Sequence, residues 1–261
     1  MTFFHAIILG IVEGVTEFLP VSSTGHLILT SKLFQLPSTE FLKSFEIAIQ
    51  LGAILAVVVL YWKSFFVKFE ILKKIIVAFL PTAALGLIFY KIVKQFLLGS
   101  EEVVLWALFL GGVFLIIFEW KYSEKPDAVD GVEKITWRQA IVIGLFQSVA
   151  IIPGVSRAAA TIVGGLILGL KRKTIVEFSF LLAVPIMVAA TGLDLLKSGG
   201  NFSLREFGLI AIGFAFSFFT ALAAIKFFLN FIKNHSFIFF GVYRVLLALV
   251  WWVGALFILR V

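Results

Sequence analysis

Residues Gly10–Leu29 read GIVEGVTEFLPVSSTGHLIL, and they place two glutamates, two serines, two threonines and a histidine in an otherwise membrane-apolar stretch. Ionisable groups at membrane depth are expensive, so they face a cavity and carry function as a rule. A second stretch, Ile143–Ile162, IGLFQSVAIIPGVSRAAATI, echoes the first and contributes an arginine. Both are interrupted near the middle, at Leu19-Pro20-Val21-Ser22 and at Ile152-Pro153-Gly154-Val155-Ser156. Proline removes a helical hydrogen bond. Paired, interrupted apolar segments of this kind mark re-entrant helices around a central site.

Working outward, the rest of the chain is built to span a bilayer. It is 61% hydrophobic and 14% charged, with a mean hydropathy of +1.11, far from the balance of a soluble domain. Six segments are long enough to cross: about 41–62, 72–92, 102–120, 174–195, 206–231 and 237–259. An outer-membrane barrel would instead alternate apolar and polar residues over short strands. The expected fold is therefore an all-α integral membrane protein, with six transmembrane helices plus two re-entrant helical hairpins at 3–34 and 136–170. The absence of Cys excludes disulfides and thiolate chemistry. The N-terminus lacks the basic region and cleavage site of a signal peptide and is expected to belong to the mature fold.

The chain reads as one membrane domain, 1–261, made of two halves, 1–120 and 136–261. A shift of 134 residues lays Gly10 on Gly144, Glu13 on Gln147 and Ser22 on Ser156, while the two prolines miss by one. Each half holds one hairpin and three spans. An odd number of spans forces the halves into opposite orientations, which is an inverted-topology repeat. The net charge of +7 does not call for nucleic acid, because the cations sit in short loops where they set orientation. Thirteen of them, from Lys63 to Lys233, fall on one side, against seven from Lys32 to Arg260 on the other. The richer side is expected in the cytoplasm, with both termini outside.

Glu13 and Glu17 are four apart and share a helix face. Such a pair can hold a divalent cation, Mg²⁺ or Ca²⁺, through oxygen ligands, or one acid can act as general acid or base. Ser22 or Ser23 can cap the helix that restarts after Pro20, and Ser156 the helix after Pro153. Both helix N-termini then favour an anion, and Arg157 can bind phosphate oxygens with its planar fork. His26 shares a face with Ser22 and Ser23, so serine and histidine are candidate nucleophile and base, in either order of attack. Glu46 and Gln50 form a further polar pair expected to line the same cavity. Arg244, in the last span, can snorkel or pair with an acid.

The string EGVTEFLPVSSTGH (13–26) closely resembles the first signature of the undecaprenyl-pyrophosphate phosphatase family, membrane enzymes associated with bacitracin resistance. PGVSRAAAT (153–161) resembles its second signature, with Ala158 and Ala159 where the family usually has Ser and Gly. FEIAIQLGAILAVVV (45–59) and EFSFLLAVPIM (177–187) are also similar, so the resemblance covers essentially the whole chain. It implies hydrolysis of a C55 polyprenyl pyrophosphate to the monophosphate carrier used in cell-wall synthesis. It also implies a divalent metal, a site opening outside the cytoplasmic membrane, and roles for Glu13, Glu17, Ser22, Ser23, His26 and Arg157. Thr24, Gly25, Ser156 and Thr161 are expected to help bind the phosphate. The preferred scheme has Ser23 as nucleophile and His26 as base; a phosphorylated His26 is the alternative. The partners expected are the lipid substrate and membrane lipids, with a homodimer left open. Rival readings are a lipid-phosphate flippase and an intramembrane serine protease.

Overall fold

The computed structural model describes residues 1–92, 100–198 and 202–258. Lys94, Arg260 and the last residue of the sixth expected span lie outside the described residues. Among them the chain forms eleven α-helices, and the only β pairing is an isolated bridge between Val129 and Leu170.

The first interrupted stretch folds as α1 (Phe3–Thr16) and α2 (Ser23–Leu33). At 1.5 Å per residue neither helix reaches across a hydrocarbon core of about 30 Å. Then come α3 (Glu40–Leu60), a short α4 (Trp62–Phe66), α5 (Phe69–Ile92) and α6 (Glu101–Lys121). The second interrupted stretch folds as α7 (Trp137–Ser148), a 3-10 turn at Val149–Ile151, and α8 (Arg157–Ile167). The chain closes with α9 (Arg172–Ser198), α10 (Leu204–Phe231) and α11 (Ile238–Ile258). Five helices (α3, α5, α6, α9 and α10) are long and apolar enough to cross a membrane, so the protein is a multi-pass membrane protein.

Local chemistry sets these boundaries. Hydroxyls start the helices: Thr39 caps α3, Ser100 caps α6, and Ser203 caps α10 in a reciprocal box with Glu206. Thr136 and Gln139 form the same box at α7. The breaks fall where the prolines predict them.

Packing pairs the elements in a repeating way. α1 lies along α10 and α7 along α5; α3 meets both α10 and α9, α9 meets α5, and α6 lies along α11. Several close crossings are glycine contacts. A Cβ on Gly10 would sit 2.4 Å from the carbonyl oxygen of Gly213, and one on Gly144 would sit 2.1 Å from that of Ala78. Helices in lipid associate through such small-residue approaches, because water supplies no hydrophobic drive there. Large apolar side chains such as Leu80, Leu110, Trp120 and Val250 face outward, as lipid contact requires.

Charged loops mark two ends. At one, Lys68 bonds Glu133 (2.5 Å), Lys74 donates to the Glu133 carbonyl, and Lys171 pairs with Asp130. Those hydrogen bonds hold both carboxyls below their ordinary pKa. At the other end Glu101 receives Lys32 and the Trp251 indole. His5 stacks on Phe34 at 4.9 Å, so α1 begins where α2 ends. Gln139 donates to the Leu168 carbonyl, so α7 begins where α8 ends.

Candidate active site

Each break ends in a serine with left-handed backbone, φ 72° at Ser22 and φ 24° at Ser156. Non-glycine residues rarely adopt this region, and such strain concentrates at functional sites. Both serines cap the helix that follows: Ser22 Oγ accepts from the Gly25 amide at 3.4 Å, and Ser156 Oγ accepts from the Ala159 amide at 3.2 Å. The earlier amides of α2 and α8 have no partner within their helices, so both N-termini present donors and partial positive charge. They border one cavity of ≈ 230 Å³, walled by Glu17, Ser22, Ser23, Thr24 and the stretch Ala150–Arg157. Thr82, Gln147, Ile186 and Met187 complete it.

Glu17 joins the two breaks. One carboxylate oxygen accepts from Arg157 Nη2 at 3.1 Å, and the other accepts from the Ser23 hydroxyl. Arg157 is held in turn by the carbonyl oxygen of Ser179, 2.8 Å from Nη1, while its Nε is buried without a partner. Thr161 lies beneath, bonded to the Ser179 hydroxyl at 2.6 Å and to the carbonyl of Arg157 itself. Ser179, absent from the expected set, thus holds both Arg157 and Thr161 of the second signature. Ala158 and Ala159 are buried, and the extra methyl on Ala159 leaves the cap intact.

Glu13 is wholly buried, and neither of its oxygens meets a hydrogen-bond donor. A bare carboxylate at membrane depth demands a proton or a cation. A divalent ion would meet that demand, as would a proton; Glu13 itself is not among the cavity walls. Among the described residues no cluster of three or more acidic, His or Cys side chains forms a complete cage. Two carboxylates with substrate oxygens and water are a normal Mg²⁺ arrangement.

His26 makes no hydrogen bond to Ser23, although the two lie one turn apart on α2. Its Nδ1 lies 2.8 Å from the Ser22 carbonyl oxygen, which accepts, so Nδ1 carries the proton and Nε2 accepts from the Tyr243 hydroxyl at 2.7 Å. The two rings stack at an interplanar angle of 6°. Glu46 accepts from Ser31 at 3.0 Å, and neither Glu46 nor Gln50 is among the cavity walls. Gly25 is buried under the capping turn, against Val104 and Leu108. Tyr243, Ser179 and Thr82 were not legible as site residues, since each comes from a helix distant in sequence.

These features define a polytopic helical membrane protein with a cavity lined by serine, carboxylate and arginine side chains. Residues 6–250 match the family model described as bacitracin resistance protein BacA, and the chain belongs to that family. It is 53% identical over 251 residues to the undecaprenyl-diphosphatase of Aquifex aeolicus, covering 96% of this chain and 98% of that one. It is 50% identical to the undecaprenyl-diphosphatases of a Sulfurihydrogenibium species and of Wolinella succinogenes, over 97% and 96% of this chain and 99% and 97% of theirs.

Proposed function

We propose that the protein hydrolyses undecaprenyl pyrophosphate to undecaprenyl phosphate and inorganic phosphate within the membrane. The observation that carries this reading is the double engagement of Glu17, with the Ser23 hydroxyl on one oxygen and Arg157 on the other. A carboxylate on a serine hydroxyl is a base poised to take its proton. Ser23 Oγ then attacks the terminal phosphorus, the bridging P–O bond breaks, and the lipid monophosphate leaves with that oxygen. Glu17 passes the serine proton to the departing monophosphate; water then attacks the phosphoserine, its proton passes through Glu17 to the leaving Ser23 Oγ, and phosphate is released with the hydroxyl restored. Arg157 and the amides of α2 and α8 stabilise the charge on the equatorial oxygens. His26 supports the Ser22 turn from below, because both its ring nitrogens are engaged. This assigns the base to Glu17 in place of His26.

Glu13, with Glu17 beside it, would hold a divalent cation, Mg²⁺ or Ca²⁺. Such an ion supplies electrostatic neutralisation of the diphosphate. The apolar walls Ile151, Ile152, Ile186 and Met187 offer a place for the first isoprene units.

The same reading includes six spans, with α11 as the sixth, and two re-entrant hairpins, α1–α2 and α7–α8. The His5–Phe34 and Gln139–Leu168 contacts support hairpins that enter and leave at one end. The matched packing of α1 on α10 and α7 on α5 supports an inverted repeat of halves 1–120 and 136–261. In this reading the cation-rich Lys68–Glu133 end faces the cytoplasm, as the loop-charge rule favours, and the cavity opens to the outer side of a bacterial inner membrane. The testing experiment is phosphate release by the purified protein from undecaprenyl pyrophosphate and from shorter polyprenyl diphosphates. Release that Ser23→Ala and Glu17→Gln abolish is expected; binding of the lipid without release would favour a flippase.

A further inference from the structure

Arg244 on α11 belongs to neither signature and takes no part in the chemistry above. Its side chain is 1% exposed, and among the described residues no carboxylate pairs with it. The guanidinium instead donates to four main-chain carbonyls. Nε reaches Leu108 at 3.3 Å and Nη2 reaches Ala107 at 2.9 Å, both on α6. Nη1 reaches Pro20 at 3.3 Å and Nη2 also reaches Gly154 at 3.1 Å. One of these last two oxygens lies in each helix break.

That division is informative. Carbonyls inside α6 already have helical partners, but those of Pro20 and Gly154 lie where the helices are interrupted. At membrane depth such groups must be satisfied by protein. A single planar fork with five fixed donors satisfies both and ties both to α6. The close approach is prepared on α6 itself, where a Cβ on Gly111 would fall 2.2 Å from Arg244 Nη2.

We propose that Arg244 is a positioning residue for the phosphoryl transfer: it fixes the spacing of the two breaks so that the N-termini of α2 and α8 converge on one phosphoryl group. The inference rests on the phosphatase reading of the cavity. It touches neither substrate nor reacting atoms, and its effect passes through the Pro20 and Gly154 carbonyls. A displacement of about 1 Å at a reacting centre can lower a rate by roughly 10²-fold.

The test is a kinetic cycle with Arg244→Lys, Gly111→Ala and the double variant, each measured beside its melting temperature. Lysine keeps the charge but cannot bridge three segments; the alanine methyl pushes the guanidinium aside while leaving it in the chain. The expected result for each single variant is a kcat lowered about 10–100-fold on folded protein, with KM within about threefold. The double variant should be no slower than Arg244→Lys alone, because the methyl then has no fork to displace. A folded Arg244→Lys with kcat within threefold of wild type overturns the proposal, as does an additive double variant. If Arg244→Lys does not fold, Gly111→Ala decides by the same threshold. Failure of both to fold reduces Arg244 to a staple of the fold and also overturns it. Absence of phosphate release by the wild-type protein would instead defeat the reading of function, a distinguishable result.

Discussion

The break between α1 and α2 carries its chemistry as carboxylates and hydroxyls, whereas the equivalent break between α7 and α8 carries a single arginine. The backbone device is shared: a proline-containing interruption, a serine at positive φ, and a side-chain cap on the third amide of the next helix. Under the 134-residue shift, Glu13 corresponds to Gln147, Glu17 to Ile151, Ser23 to Arg157 and His26 to Ala160. In the proposed reaction these two similar frames would supply opposite halves, proton acceptance and nucleophile from the first and anion binding from the second. A carrier that only alternated its access would have no need for that division. Glu17 is the point where the halves meet.

The comparison breaks most sharply at Glu17. Glu17→Gln removes the proposed base and the partner of Arg157 together, so kcat should fall by about 10³–10⁴-fold. Retention of a tenth of the activity in folded protein would separate Ser23 from any need for the carboxylate. Arg157→Lys keeps charge in the second break and loses the fork. It should cost about 10²–10³ in kcat if Arg157 clamps the phosphoryl oxygens. Near-normal turnover would leave Arg157 as a structural partner of Glu17 only.

Smaller effects sharpen the division. Glu13→Gln should raise the cation concentration needed for half-maximal activity, and chelation with EDTA should silence the parent protein. Full turnover of a verified metal-free preparation would contradict the role of Glu13. Tyr243→Phe deletes one hydrogen bond to His26 without opening a cavity. One such bond contributes about 0.5–1.5 kcal/mol, so a loss of roughly two- to tenfold in kcat is expected. A much larger loss would return His26 to the reacting centre. The least effect is expected far from both breaks. The Lys68 hydrogen bond depresses the Glu133 pKa, so its contribution is present above the ordinary carboxylate range and disappears as pH falls through the folded value. Glu133→Gln should lower the melting temperature slightly at pH 7, by no more than about 1 kcal/mol of stability for so exposed a pair, and not at all once pH has fallen below the folded value.

What the sequence made legible follows from what local patterns encode. Proline position and hydroxyl caps are local, so both breaks and the helices after them could be located from residues alone. The cost of a buried charge is also local, so Glu13, Glu17 and Arg157 stood out. Partner choice is not local. Ser23 and His26 are one helical turn apart, which suggested a dyad, yet the turn after Pro20 swings Ser23 toward Glu17 and leaves His26 to Tyr243, 217 positions away. Glu46 was assigned to the cavity from its helix face, but Ser31 engages it. Arg244 could not be placed because all four of its acceptors are backbone oxygens, which no side-chain pattern announces.

The most direct measurement of the central claim is rapid-quench trapping of a covalent intermediate from undecaprenyl pyrophosphate labelled in its terminal phosphate. Serine and histidine phosphates differ in chemistry, the former stable in acid and labile in alkali, the latter the reverse. The account predicts transient label that survives acid, is lost in alkali, maps to Ser23, and vanishes in Ser23→Ala and Glu17→Gln. Acid-labile label on His26, or full single-turnover product with no labelled protein at any time, would contradict it.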